Sequence, residues 1–331
     1  MKLAYIAFTA KGLALAERLA AALGGSAARC AGNLRGWTGA NFSTAGGLVF
    51  VGAAGIAVRA VAPFLQSKTT DPAVVVVDDC GRYAIPILSG HLGGANDLAR
   101  AIGRACGALP VLTTATDANG AFAVDEWAKR QHCALLDPGK IKEISGRLLA
   151  GGRVGVASRW PIAGDAPAGV ELRAQDPDIL LDVHRREGEA SLRLVPRIAV
   201  LGVGCKRGTA AAQLETALAA ALEKSGLYPQ AIRAAASIEL KAGEPGLLEF
   251  CRAHGWPLTT YSAQTLQAVP GSFTPSAFVR EATGVDNVCE RSAVRASGGA
   301  LITRKLAGGG VTMALALAPY APTWRWQDET E

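Results

Sequence analysis

Four consecutive valines, Val74 to Val77, running into Asp78-Asp79, constrain the fold more than any other stretch. A strand without polar alternation is buried on both faces, as inside a parallel sheet with helices above and below. The flanking sequence supplies such layers. Leu3 to Phe8 reads as a strand and Gly12 to Leu23 as an alanine- and leucine-rich helix. Leu48 to Val51 is a second strand, followed by a Gly52-Ala53-Ala54-Gly55 turn and a helix carrying Ile56, Val58, Val61 and Leu65, which Pro63 is placed to kink. Residues 24–47, rich in Gly, Asn and Ser, are expected to be irregular. After the valines come a strand at Tyr83 to Leu88, a helix from Gly94 to Cys106 and a strand at Leu109 to Leu112. Strand and helix alternating in this way predict a doubly wound α/β layer.

The alternation continues with helices at Val124 to His132 and Gly139 to Ala150 and a strand at Arg153 to Ala157. It then weakens. The proline-rich stretch from Arg159 to Arg197 reads mainly as a connecting module. A new pattern starts at Ile198 to Val203 and a helix at Ala210 to Lys224. Ile232 to Ala236 (strand), Gly246 to His254 (helix), Leu258 to Tyr261 (strand), Asn287 to Ala296 (helix), and strands at Ala300 to Lys305 and Val311 to Ala318 complete it. The expected architecture is two α/β domains with largely parallel, helix-covered sheets: residues 1–120, a variable middle module and linker at 121–196, and a C-terminal domain at 197–331. The charged tail after Pro322 is expected to fray.

The formal net charge of +6 raises nucleic acid as a partner, but the 34 Lys and Arg form no block, and aromatics, at 6%, never alternate with basic residues. An anionic small molecule fits the excess better, and no nucleic acid is expected. No run approaches 18 apolar residues, so no membrane span is expected. Seven cysteines without a C-x-x-C pair fit reduced thiols in a cytoplasm.

Ser89-Gly90-His91 ends one strand and Gly93-Gly94-Ala95-Asn96 opens the next helix, so donors, a hydroxyl, an imidazole and a carboxamide meet where a helix N-terminus favours anions. Thr113-Thr114-Ala115-Thr116-Asp117 follows the next strand, and in a parallel sheet both clusters lie at the carboxyl edge, where open α/β sheets bind ligands. His91 is a candidate acid or base, weighed equally against a histidine that holds the turn. Ser89 lacks a G-x-S-x-G elbow and is better read as a turn residue. Adjacent Asp78 and Asp79 must point to different faces. Asp71 before Pro72 reads first as a turn residue, and Asp117 as a cap. In the second half, Gly202-Val203-Gly204-Cys205-Lys206-Arg207-Gly208 has one residue too many for a dinucleotide fingerprint, leaving an anion-binding turn assisted by Lys206 or Arg207. Cys205 is either a nucleophile activated by a helix N-terminus or, more commonly for a lone cysteine, structural. The four histidines are too dispersed for a metal cage.

Residues 52–63 (GAAGIAVRAVAP), 68–96 (KTTDPAVVVVDDCGRYAIPILSGHLGGAN) and 110–117 (PVLTTATD), with LGVGCKRGT (201–209), SIELKAGEPGL (237–247), PLTTYSAQTL (257–266) and VCERSA (288–293), resemble the cobalt-precorrin-5A hydrolases, the CbiG family of anaerobic cobalamin synthesis. The second half also resembles the stand-alone CobE protein. The resemblance implies an enzyme that opens the δ-lactone of cobalt-precorrin-5A and releases acetaldehyde. It implies no cofactor of the protein's own, the cobalt being carried by a polyanionic substrate. On that reading His91 is the expected general acid or base, and the Gly93 and Gly94 amides with Asn96 the oxyanion donors. Arg59, Lys68, Lys206 and Arg207 would hold acetate or propionate arms, and Asp71, Ser89, Gly90, Thr114, Thr116, Asp117 and Gly204 would complete the substrate site. A non-catalytic corrinoid carrier is the alternative. A homodimer and transient contacts with other enzymes of the pathway are the remaining partner expectations.

Overall fold

A computed structural model describes residues 2–67, 70–90, 93–185 and 191–327, apart from the side chains of Asp117 and Ala118. Two compact units, Met1–Glu126 and Trp127–Glu331, make up the chain.

In the first unit the order is β1 (Leu3–Ala7), α1 (Ala10–Leu23), β2 (Ser26–Arg29), α2 (Leu34–Phe42), β3 (Gly47–Val51), α3 (Ala54–Val61), β4 (Ala73–Val77), β5 (Tyr83–Leu88), α4 (Ala95–Cys106), β6 (Leu109–Pro110) and α5 (Ala115–Ala118). These strands form one sheet in the order β2-β1-β3-β4-β5-β6. The valine strand is central and buried throughout, as its composition requires. Val75 and Val77 pack with Leu15 and Leu19 of α1 and Leu98 and Ile102 of α4. Val74 and Val76 pack on the other face with Phe42 of α2 and Ala57 and Val61 of α3. Period-two alternation thus divides an unbroken apolar run between two helical layers.

Four departures from expectation have local causes. Residues 24–47 hold β2 and α2 rather than an irregular connection; the Asn33 side chain caps α2 by accepting from the Gly36 amide. Pro63 does not kink α3 but lies in a 3-10 turn, Ala62–Phe64, after the helix has ended. Asp117 sits inside the short α5 rather than capping a following helix. The fourth departure is the direction of β5. Strands β1 to β4 are mutually parallel, but β5 runs antiparallel to β4, and β6 is parallel to β5. The five-residue link Asp78–Arg82 is too short for a crossover and makes a hairpin instead. Asp78 holds it, its carboxylate accepting from the amides of Cys80 (3.2 Å), Arg82 (2.6 Å) and Tyr83 (2.7 Å).

The second unit opens inside α6 (Val124–Arg130). It continues with β7 (Cys133–Leu135), α7 (Ile141–Leu149), β8 (Val154–Ser158), β9 (Val170–Leu172), β10 (Ile179–Leu181) and β11 (Leu192–Pro196). The stretch expected mainly as connecting sequence, 159–197, instead contributes β9, β10 and β11 to a five-stranded sheet, β7-β11-β10-β8-β9, in which β8 is the strand expected at 153–157. Scattered prolines and charges mask the short apolar runs of these three strands. Then follow β12 (Ala199–Cys205), α8 (Ala211–Ser225), β13 (Ile232–Ile238), α9 (Pro245–Ala253), β14 (Leu258–Tyr261), α10 (Ala263–Gln267), α11 (Ala277–Thr283), α12 (Cys289–Ser297), β15 (Ala300–Gly308) and β16 (Val311–Leu317). The last sheet runs β14-β13-β12-β16-β15, with β12, β13 and β14 parallel and β16 and β15 antiparallel. Leu201 and Val203 of β12 pack with Leu214 and Leu218 of α8, in a core that extends to Val195 of β11 and to Val183 just after β10.

The C-terminal segment packs rather than frays as far as Trp326. Trp324 stacks on Trp127, ring centroids 5.2 Å apart, while Trp127 Nε1 donates to the Thr323 carbonyl and Arg130 Nε to that of Trp326.

Candidate functional site

In the first unit the sheet topology gathers Asp71, Ser89, Gly90, Gly93, Gly94, Asn96, Thr114, Thr116 and Asp117 at one edge, the carboxyl end of β5 and β6. Because β5 is reversed, that edge is the amino end of β1, β3 and β4, not their carboxyl end as expected. Its polar groups are turned inward. The buried Asp71 carboxylate accepts from the amides of Gln66 (3.1 and 3.2 Å) and Ser67 (3.1 Å). Ser89, held at φ +56°, donates its hydroxyl to the Asp71 carbonyl at 3.0 Å. The Ala95 and Asn96 amides at the start of α4 donate to the carbonyls of Ser89 and Gly90. Asn96 itself is 2% exposed, with its carboxamide lying against Gly90. Ser89 is a turn residue here, and Asn96 is built into the turn rather than presented from it. His91 and Lys68 lie outside the described residues.

Arg59 is not part of this group. It is exposed on α3, and its guanidinium turns back over Gly55, towards the helix start at the carboxyl end of β3. Asp78 and Asp79 diverge as adjacent residues must. Asp78 serves the hairpin; burial works to raise its carboxyl, but the three amides outweigh this and hold it below the usual range. Asp79 accepts from the Thr9 hydroxyl (2.7 Å) over the start of α1.

The second unit contains a different arrangement, a cavity of about 590 Å3 at the carboxyl ends of β12 and β13. It is walled by Ile238, Val279, Val288 and Val311, with Leu240 and Phe278 beside them, 64% and 71% exposed. Leu240 and Phe278 extend the apolar wall to the mouth of the cavity, the kind of concave apolar surface that ligand sites use. Gly204, Lys206 and Arg207, expected as site residues, line it, as do Lys241, Glu244 and Lys305. The side chains of Lys206, Arg207 and Lys305 have no ion-pair or hydrogen-bond partner among the described residues, whereas Lys241 is paired with Glu244 at 2.8 Å. An apolar wall bordered by unpaired cations suits a flat hydrophobic ligand carrying carboxylates.

Two close approaches shape this cavity. A Cβ at Gly202 would fall on the Cys289 carbonyl oxygen, so the glycine lets α12 lie directly on β12. Asn287, 1% exposed, then caps α12: its Oδ1 accepts from the Glu290 amide (2.8 Å), and its Nδ2 donates to the Thr274 carbonyl (2.8 Å). The glycine that resembled a dinucleotide fingerprint therefore serves helix packing. Cys205 lines the cavity, but burial pushes its thiol up, against an activated nucleophile.

Sequence reasoning missed several residues of this region. Glu290 is 0% exposed and accepts from the Thr274 amide and hydroxyl (both 2.8 Å) and the Lys305 amide (2.6 Å). Arg291 donates to the carbonyls of Leu266, Gln267 and Val269 and pairs with Asp286 at 2.9 Å. The VCERSA stretch is thus a buried clamp on the loops around the cavity. Charged residues inside an otherwise apolar helical pattern were the available signal. Among the described residues no group of three or more His, Cys, Asp or Glu side chains is gathered as metal ligands would be, and no helix is long and apolar enough to cross a membrane.

Comparison with known proteins follows the same two regions. Residues 36–117 match the family model "Cobalamin synthesis G N-terminal", and residues 199–316 match "Cobalamin synthesis G C-terminus". The chain is 38% identical over 292 residues to a cobalt-precorrin-5A hydrolase of Salmonella typhimurium, covering 84% of this chain and 83% of that protein. It is 35% identical over 301 residues to the cobalt-precorrin-5A hydrolase of Priestia megaterium, covering 84% and 80%. A segment of 120 residues is 34% identical to the protein CobE of a Sinorhizobium species, 35% of this chain and 78% of that one.

Proposed function

The chain belongs to the cobalt-precorrin-5A hydrolases, the CbiG family of cobalamin synthesis, and from that membership we propose that it opens the δ-lactone of cobalt-precorrin-5A and releases a two-carbon fragment as acetaldehyde. The observation that carries the substrate assignment is the cavity of the second unit, where the side chains of Lys206, Arg207 and Lys305 make no ion pair or hydrogen bond among the described residues and lie beside an apolar wall. A corrinoid presents a broad apolar ring edged by acetate and propionate arms. The ring edge would rest on Val279, Val288 and Phe278, and the arms would reach the three cations, each charge-assisted contact contributing about 1.5–3 kcal/mol. The cobalt belongs to the substrate.

Lactone opening needs a base for the attacking water, donors for the tetrahedral oxyanion and an acid for the leaving alkoxide. His91 is the proposed acid or base, on sequence grounds, since an imidazole can both accept and donate a proton. Once the ring is open, the hydroxyl carbon becomes the aldehyde carbon, and the electrons of the broken carbon-carbon bond pass into the conjugated macrocycle. We place the protein in the cytoplasm, with the reduced thiols that its seven free cysteines would need there.

The test is to supply purified protein with cobalt-precorrin-5A and couple acetaldehyde to its reduction by a dehydrogenase. The proposal expects one acetaldehyde per corrinoid consumed. Tight corrinoid binding with no aldehyde would instead identify a carrier.

A further inference from the structure

Residues 201–209 and 237–247 both carry the family resemblance, and they interlock at the cavity through one residue, Glu244. It is 7% exposed. Its Oε1 accepts from the Gly208 amide (2.7 Å), and its Oε2 accepts from the Lys241 ammonium (2.8 Å). Beside it the Thr209 hydroxyl donates to the Lys206 carbonyl (2.8 Å). Gly246 lies so near this turn that a Cβ there would fall on the Thr209 carbonyl oxygen. From the other side the Lys206 amide donates to the Gly310 carbonyl (3.1 Å), and the Lys206 stem runs along Gly310. The turn's backbone is pinned at two residues, Lys206 and Gly208, while the side chains of Lys206 and Arg207 stay exposed.

We propose that Glu244 is the positioning residue of this cavity: through Gly208 it fixes the backbone from which Lys206 and Arg207 reach substrate carboxylates, and through Lys241 it withholds a further cation from them. This rests on reading the cavity as the corrinoid site. Withholding a cation has a use. An additional unpaired ammonium would bind substrate and product alike, lowering KM without raising kcat. The hydrogen bond from Lys241 holds the Glu244 carboxyl below its ordinary range.

Glu244→Ala and Glu244→Gln separate the two tasks. Alanine removes both tethers; losing the Gly208 anchor of two cations outweighs the one cation freed at Lys241, so KM for cobalt-precorrin-5A is expected to rise about tenfold while kcat changes less than about twofold. Glutamine keeps an acceptor oxygen for Gly208 but loses the charge facing Lys241, so KM is expected to return to the wild-type value or fall below it. A purely architectural glutamate would lower the melting temperature in both variants and leave the KM of the folded protein unchanged. An alanine variant with KM within about twofold of wild type overturns the inference, as does a glutamine variant as weak as the alanine one. The double variant Lys206→Ala/Arg207→Ala distinguishes the two levels. If it too leaves KM unchanged, the cavity is not the substrate site; if it raises KM while Glu244→Ala does not, the positioning role alone fails.

Discussion

The turn between β5 and α4 and the turn between β12 and α8 are both short, polar and rich in glycine, yet they dispose of their polar groups in opposite ways. In the first, the Ser89 hydroxyl is spent on the Asp71 carbonyl and the Asp71 carboxylate on the amides of Gln66 and Ser67, and Asn96 is buried. In the second, the backbone is satisfied by Glu244 and Gly310, which leaves two cations exposed at a cavity. A third turn, at the start of α1, shows the same economy as the second: Asp79 lies over Thr9 and Gly12 and supplies an internal carboxylate at the helix N-terminus. Glycine and hydroxyl residues between a strand and a helix thus specify a tight turn. Whether it binds anything depends on which groups the rest of the fold has already used.

The largest effect is expected at Gly202. A methyl group there meets the Cys289 carbonyl, so Gly202→Ala must push α12 off β12 and distort the cavity wall. Urea unfolding is expected to show a loss of more than about 3 kcal/mol, with corrinoid binding lost as well. A variant as stable as wild type would mean that α12 does not depend on this contact.

Strand positions were read well where apolar runs were long, as in β4, β12 and β16, and poorly where strands had three residues, as in β9 and β10. The reversal of β5 is legible too: Asp78-Asp79-Cys80-Gly81-Arg82 is a hairpin-length link between two apolar runs, although the strand and helix alternation around it points to a largely parallel sheet. Among candidate site residues, Lys206 and Arg207 lie at a cavity, Arg59 faces away from the group it was expected to join, and the buried work of Ser89 and Asp71 was recognisable as turn chemistry. Glu244 and Glu290 were not found because their partners are 36 and 15 to 16 residues away, beyond what local patterning reports.

Smaller effects sharpen the first turn. Asp71→Ala leaves the amides of Gln66 and Ser67 without their acceptor and is expected to cost about 2–3 kcal/mol in urea unfolding. If it instead spared stability and abolished binding, the first turn would be the binding one. Ser89→Gly gives up one hydroxyl bond of about 1 kcal/mol but relieves a positive φ worth a similar amount, so stability should move by less than about 1 kcal/mol.

On the proposed function, Lys206 and Arg207 of the turn between β12 and α8 hold the carboxylate arms of the substrate. Titrating the Lys206→Ala/Arg207→Ala variant with cobyrinic acid, a stable cobalt corrinoid with free carboxylate arms, tests it most directly. The account predicts a Kd at least about tenfold weaker than wild type, a reduced salt dependence, and a melting temperature changed by less than about 2 °C. An unchanged Kd in the folded variant would contradict it.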